Sequence, residues 1–224
     1  MTQLAVRGSQ GLYMMSGSPR FTSGEEGSGF ARDTSSNCKV MAFSPDGNRF
    51  AWSDGKEVKV ASWMAGSGAW KETAKLEASG RTTFIKFSPK GSVLCTWEVF
   101  AKGNNQLESN VRLWSSETGQ LLHAFTHRKS EGWCPQWTKD ESICCHKAAN
   151  GEVVFYKDND FQTVLPHRLS IKGLESHFMS PKADPEGNGR VACYVPGVKG
   201  GPGFCKLFVY PKFNAESDSV ATKR

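Results

Sequence analysis

Four times along this chain a bulky apolar residue is followed by a hydroxyl residue, a polar turn and a run of strand-forming side chains. Phe43-Ser44-Pro45-Asp46-Gly47 and Phe87-Ser88-Pro89-Lys90-Gly91 are near copies. Trp137-Thr138-Lys139-Asp140-Glu141 and Met179-Ser180-Pro181-Lys182 occupy the same place further on. The anchors Phe43, Phe87, Trp137 and Met179 are separated by 44, 50 and 42 residues (87−43, 137−87, 179−137). That period is the length of a four-stranded propeller blade. A small sheet with two apolar faces cannot bury both of them alone, so it needs copies of itself as neighbours.

The second repeat shows why the unit reads as strands. Thr83, Ile85 and Phe87 alternate with Phe84 and Lys86, the two-residue period of a strand. In Ser88-Pro89-Lys90-Gly91 the proline presets φ and the glycine takes the positive φ that closes the turn. Ser92 to Trp97, Asn110 to Ser115 and Gln120 to Phe125 supply three more strands. The first repeat follows the same plan with Cys38 to Phe43, Asn48 to Ser53, Glu57 to Ser62 and Lys71 to Leu76, with an Asp-Gly hairpin turn at Ser53 to Lys56. The third takes Gly132 to Trp137, Glu141 to His146, Glu152 to Lys157 and Phe161 to Leu165, with Pro135 blocking one ladder bond. The fourth takes Glu175 to Met179, Arg190 to Val195 and Phe204 to Tyr210 and stops before a fourth strand.

The fold expected is therefore all-β, with about four WD-repeat-like β-propeller blades forming an open arc of a longer propeller. Residues 1–36 are expected to hold a strand pair and a mobile loop, 37–212 the four blades, and 213–224 a polar tail. The strand pair is Leu4 to Gly8 and Gly11 to Met15; such a pair often completes the last blade of a ring. Ser16 to Ser36, rich in Gly, Ser and charge, is the expected loop. The four anchors are expected to be buried at equivalent places.

With these residues in view, the chain resembles the N-terminal part of the eukaryotic translation initiation factor 2A family. The likeness is carried by Val6-Arg7-Gly8-Ser9 with Gly11-Leu12-Tyr13-Met14, and by Asn37-Cys38-Lys39-Val40 leading to Phe50-Ala51-Trp52. It continues in Trp133-Cys134-Pro135 with Trp137 and Asp140-Glu141, and in Tyr194-Val195-Pro196-Gly197 with Lys199-Gly200. It runs through most of residues 4–212; the loops at Ala65 to Ala69 and Phe100 to Ser109 depart from it. The resemblance implies binding to the small ribosomal subunit, help in delivering methionylated initiator tRNA, contact with other initiation factors and a cytoplasmic location. It also implies a truncated form, since only the first blades are matched. The alternative is a generic propeller scaffold for protein partners, which the fold alone would support.

Charge and motifs narrow the function. The net charge of +6 comes from scattered residues, which permits an acidic partner such as RNA without demanding one. Neither a signal peptide nor a membrane-length apolar run is present, so no membrane is expected as a partner, and no DNA. The seven cysteines show no Cys-x-x-Cys spacing and read as reduced thiols, with Cys144 and Cys145 on opposite faces of a strand. Gly197 to Gly203 lacks the Ser or Thr and the helix of a phosphate loop. His123 and His127 have i, i+4 spacing but lie in and beyond a strand, so no metal or cofactor is expected. No Gly-x-Ser-x-Gly sits between a strand and a helix, and the chain reads as no enzyme. Trp52, Trp97, Trp114, Trp133 and Trp137 fall on expected strands and read as core.

In a four-stranded meander, the loop joining strands two and three opens on the same face as the loop to the next blade. That rule puts Lys102, Arg128, Lys129, Lys147 and Lys199 on one rim, the candidate partner-binding residues, with Glu98, Glu108 and Glu131 among them.

Overall fold

The computed structural model describes residues 2–17, 20–23, 28–35, 38–78, 80–100, 109–198 and 201–210. Among these described residues seventeen strands form five antiparallel sheets. The first sheet holds β1 (Thr2–Gly8), β2 (Gly11–Gly17) and β3 (Phe21–Ser23). The second holds β4 (Met41–Phe43), β5 (Arg49–Ser53), β6 (Val58–Met64) and β7 (Ala69–Leu76). The third holds β8 (Thr82–Phe87), β9 (Val93–Glu98), β10 (Val111–Ser115) and β11 (Leu121–Phe125). The fourth holds β12 (Gln136–Trp137), β13 (Ile143–Lys147) and β14 (Val153–Lys157), and the fifth β15 (Ser176–Met179), β16 (Gly189–Val195) and β17 (Phe204–Tyr210). Strands lie beside one another in chain order in every sheet, the meander of a propeller blade. The fold is all-β and of the WD-repeat propeller kind.

The repeated turn is closed the same way in the first, third and fourth repeats. The hydroxyl residue after the anchor closes the hairpin between the first and second strands: Ser44 N–H donates to Arg49 O at 2.9 Å, Thr138 N–H to Ile143 O at 3.0 Å, and Ser180 N–H to Arg190 O at 2.8 Å. Gly47 and Gly91 take φ of 73° and 74°, the left-handed conformation that glycine adopts without strain. In the third repeat Glu141 stands there instead, at φ 59°. Its carboxylate accepts hydrogen bonds from the Lys90 amide at 2.6 Å and the Asn159 side chain at 3.0 Å, contacts a glycine could not make.

The chain divides into two compact units: Met1–Phe87, Gly91–Val99 and Arg112–Leu122 form one, and Ser88–Lys90, Phe100–Val111 and His123–Arg224 the other. In the first unit one cluster joins Leu12 and Met14 of β2 to Phe50 and Trp52 of β5, and another joins Ala51, Val60 and Leu76 to Phe87, Leu94 and Trp114. In the second unit Ile143, Cys145 and Phe155 meet Val191, Cys193, Phe208 and Tyr210. Each cluster is one sheet laid face to face on the next. Ser116 ties a turn to this arrangement, its hydroxyl donating to Gly91 O at 2.5 Å while its amide donates to Ser92 O at 3.0 Å. Ser116→Ala is expected to lower stability by about 1–2 kcal/mol, read as a lower urea midpoint, because a buried carbonyl loses a donor.

Four expectations need correction. Ser16 to Ser36 is not a loop throughout: β3 pairs with β2, Asp33 bridges Leu12, and Phe30 is buried against Phe50 and Trp52. The leading strand pair gains β3 and forms its own sheet rather than completing another among the described residues. Phe161 to Leu165 is no strand. Leu165 N–H reaches Phe155 O, but Pro166 has no amide hydrogen to continue the ladder, and pairing resumes only at Leu169 with Val153. Phe87, Trp137 and Met179 are buried, whereas Phe43 is 36% exposed, resting on Phe50 and Trp70 with its outer edge in solvent. The tail at 213–224 lies outside the described residues.

Candidate functional site

The second unit holds three of the five predicted rim residues. Arg128 and Lys129 lie exposed in the connection from β11 to β12, and Lys147 ends β13 half-buried. Lys102 and Lys199 lie outside the described residues. The β11–β12 connection is held at its base by Asn110, at the start of β10. The Asn110 amide nitrogen donates to His127 O at 2.9 Å, and its oxygen accepts from His127 N–H at 2.8 Å. This two-bond clamp joins the two loops that the meander rule assigned to one edge.

Beyond the clamp the side chains carry charge. The Arg128 guanidinium lies 5.6 Å from the Phe100 ring centroid, a cation–π distance that holds the planar donor group over an aromatic platform. Lys147 donates to Leu174 O. Burial lowers its ammonium pKa, and the positive charge of Lys129 lowers it further, so the two lysines are electrostatic neighbours. The charge of Glu175 raises the Lys147 pKa, so the positive excess around Lys147 is partly offset. Of the expected acidic members, Glu98 is removed from the rim: it is buried and ion-paired with Arg112 at 2.5 Å. Glu131 remains exposed, its carbonyl 2.8 Å from His127 Nε2. Glu108 lies outside the described residues.

Beside this rim, in the same unit, is a buried histidine–aromatic group. Tyr156 Oη sits 3.2 Å from His146 Nε2 and 3.3 Å from His123 Nε2. Phe125 stacks on His146 with centroids 3.9 Å apart, and Phe161 stacks on His123 at 5.9 Å. A phenol has one hydrogen, so it donates to one imidazole and accepts from the other, which must carry its hydrogen on Nε2. Burial pushes His146 down to about 3 and His177 down to about 4, and lowers His123. Burial pushes the Tyr156 phenol up to about 12. The group is neutral at physiological pH and acts as packing with internal hydrogen bonds. Sequence spacing pointed only to His123 and His127; His146 and His177 carry no local motif. Among the described residues no three His, Cys, Asp or Glu side chains come together to hold a metal ion.

The tryptophans expected in the core are there: Trp52, Trp97, Trp114, Trp133 and Trp137 are all buried, although Trp133 lies just before β12 rather than in it. Their indoles are unavailable for stacking on bases. Cys144 and Cys145 point to opposite faces, Cys145 joining the cluster shared with Val191 and Cys193. Cys205 is exposed. Among the described residues no helix is long and apolar enough to cross a membrane.

Comparison with known proteins adds a different kind of observation. No family model matches the chain. It is 30% identical over 229 residues to eukaryotic translation initiation factor 2A of Drosophila melanogaster, covering 98% of this chain and 35% of that protein. It is 28% identical over 215 residues to the Schizosaccharomyces pombe protein of the same name (96% and 35% covered). Against the one from Caenorhabditis elegans it is 33% identical over 205 residues (88% and 34%). The chain thus spans about a third of the length of these curated relatives. Among solved structures it is similar to one described as the crystal structure of the eukaryotic initiation factor, with TM-score 0.79, 30% identity, and 95% of this chain and 50% of that chain covered. Kluyveromyces lactis Hsv2 shares the fold alone, at TM-score 0.50 and 10% identity over 92% of this chain and 70% of its own.

Proposed function

We propose, because the chain belongs to the eukaryotic translation initiation factor 2A family, that its charged rim meets the small ribosomal subunit and that it assists delivery of initiator methionyl-tRNA in the cytoplasm. The observation that carries this reading is the likeness along 98% of the chain to a protein named as an initiation factor. The charges of the rim support it: Arg128 over Phe100 and the exposed Lys129 are donors suited to phosphate oxygens. Lys102 and Lys199 belong to the same proposed surface. The role is one of binding, with no catalytic or cofactor chemistry assigned to any residue, and other initiation factors are further partners of the reading.

The test is co-sedimentation with small ribosomal subunits on a sucrose gradient. The parent chain is expected in the small-subunit fractions, more weakly as salt rises. Arg128→Glu with Lys129→Glu, at an unchanged melting temperature, is expected to reduce the log–log salt slope by about 2, one for each phosphate that is no longer neutralised. Binding equal to the parent's at every salt concentration would remove the rim from the proposal. Absence of the parent from those fractions would favour the other reading, a propeller platform for protein partners alone.

A further inference from the structure

The chain contains two Asn-Gly pairs, Asn150-Gly151 and Asn188-Gly189. In such a pair the asparagine side chain is open to attack by the next backbone nitrogen, because glycine has no Cβ to crowd that nitrogen or restrict its rotation. The fold treats the two pairs oppositely.

Asn150 lies exposed in the connection from β13 to β14, in the turn that Gly151 N–H closes by donating to Ala148 O at 2.9 Å. One residue holds both ends of its side chain: Oδ1 accepts from Glu152 N–H at 3.1 Å, and Nδ2 donates to Glu152 Oε2 at 2.7 Å. The Glu152 amide is thus a donor to the oxygen on which charge develops when the side-chain carbonyl is attacked. Gly151 takes φ of 90°, and among the described residues nothing lies within 4 Å of the place a Cβ would fill there. The turn can open and bring Gly151 N toward Asn150 Cγ without displacing a neighbour.

Asn188 is locked. Its N–H donates to Asp184 Oδ1 at 2.7 Å and its Nδ2 to Asp184 Oδ2 at 2.9 Å, while its O accepts from Asp184 N–H at 2.9 Å. Gly189 is buried at the start of β16, opposite Tyr210, and a Cβ there would stand 3.2 Å from Ile143 Cδ1. Rotating this backbone would break a strand pairing and disturb close-packed side chains.

We propose that Asn150 is a site of spontaneous deamidation in the folded protein and that Asn188 is protected from it. Gly151 N bonds to Asn150 Cγ while its proton passes through water to Nδ2. The Cγ–Nδ2 bond breaks, ammonia leaves and a succinimide remains. Water then adds to either carbonyl of that ring, giving aspartate or isoaspartate, and no reactant other than water is consumed. The new carboxylate stands beside Glu152, whose own carboxylate lies 3.7 Å from Arg168 Nη1. Each event lowers the net charge from +6 to +5 (6−1). The proposal is independent of the ribosome reading.

Peptide mapping by mass spectrometry tests it on the full chain, held at physiological pH and temperature either folded or unfolded in guanidinium. Trypsin separates the two pairs into peptides 148–157 and 183–190. In the folded chain the first peptide is expected to accumulate aspartate and isoaspartate while the second keeps its asparagine. In guanidinium both are expected to convert, because local sequence alone then sets the rate. Isoelectric focusing of the folded chain is expected to show a growing acidic species, absent from Asn150→Gln at an unchanged melting temperature. A folded chain whose first peptide keeps its asparagine, while the unfolded chain converts, overturns the proposal. So does a folded chain in which both peptides convert alike, or an acidic species that persists in Asn150→Gln.

Discussion

Replacing Asp33 with alanine is expected to lower stability by about 3 kcal/mol, within the range for stranding a charge whose buried partner is removed. Asp33 accepts from Trp52 Nε1 at 2.9 Å and Lys59 Nζ at 3.0 Å through one oxygen, and from Ser35 N–H at 2.9 Å through the other. Burial alone would raise its carboxyl, but the hydrogen bonds from Ser35, Trp52 and Lys59 outweigh that and hold it well below the usual carboxylate range. Lys59 keeps a second partner, Asp54 Oδ2 at 2.9 Å, which limits the loss to the lower part of the range. Burial would lower the Lys59 ammonium, but Asp54 and Asp33 raise it above the ordinary lysine value. Urea denaturation measures the change, and the double change with Lys59→Met should lose less than the two single losses added together. An Asp33→Ala midpoint equal to the parent's would show that the ion pair contributes nothing.

Acidification from about pH 7.5 to about pH 5 is expected to cost about 4 kcal/mol of stability through His146 and His177. Folded, these imidazoles stay neutral down to about 3 and about 4 because burial opposes the charge. Unfolded, they take up a proton below about 6.5. In the window between, the unfolded chain binds more protons than the folded one, so stability is present above about pH 6.5 and lost as pH falls. Each histidine contributes about 2 kcal/mol over the 1.5 pH units below its unfolded value, at about 1.36 kcal/mol per unit. Asp33, whose folded carboxyl is depressed, adds its own loss only as pH falls below about 4, where the unfolded carboxylate starts to protonate. His146→Gln, which keeps an acceptor for Tyr156, should roughly halve the slope between the two pH values. A denaturation midpoint that does not move over that window would contradict the burial of both rings.

The rim shows how far local patterns carry. The meander rule needs only strand order, and strand order follows from turns such as Ser44 to Gly47, whose chemistry is contained in a few consecutive residues. From it comes the expectation that Arg128, Lys129 and Lys147 share one rim. The same rule misplaced Glu98 among the rim charges, because it gives no hint of the ion pair with Arg112 on a neighbouring strand. It also read Ser16 to Ser36 as loop, since glycine and serine content predicts local freedom but not Phe30 wedged between Phe50 and Trp52.

By itself, then, the amino-acid sequence determined the all-β class, the repeat, the positions of most strands and the turns between them, each written in the period and turn residues of a contiguous stretch. Tertiary structure alone decided the features that need distant partners. Lys59 finds Asp33 across 26 residues and Tyr156 finds His123 across 33, distances at which side-chain periodicity holds no information. It likewise decided that Ala51 and Cys145 are covered while Phe178 and Leu207 are exposed. Alternation along a strand says which side chains share a face, and only a packed neighbour says whether that face is inside.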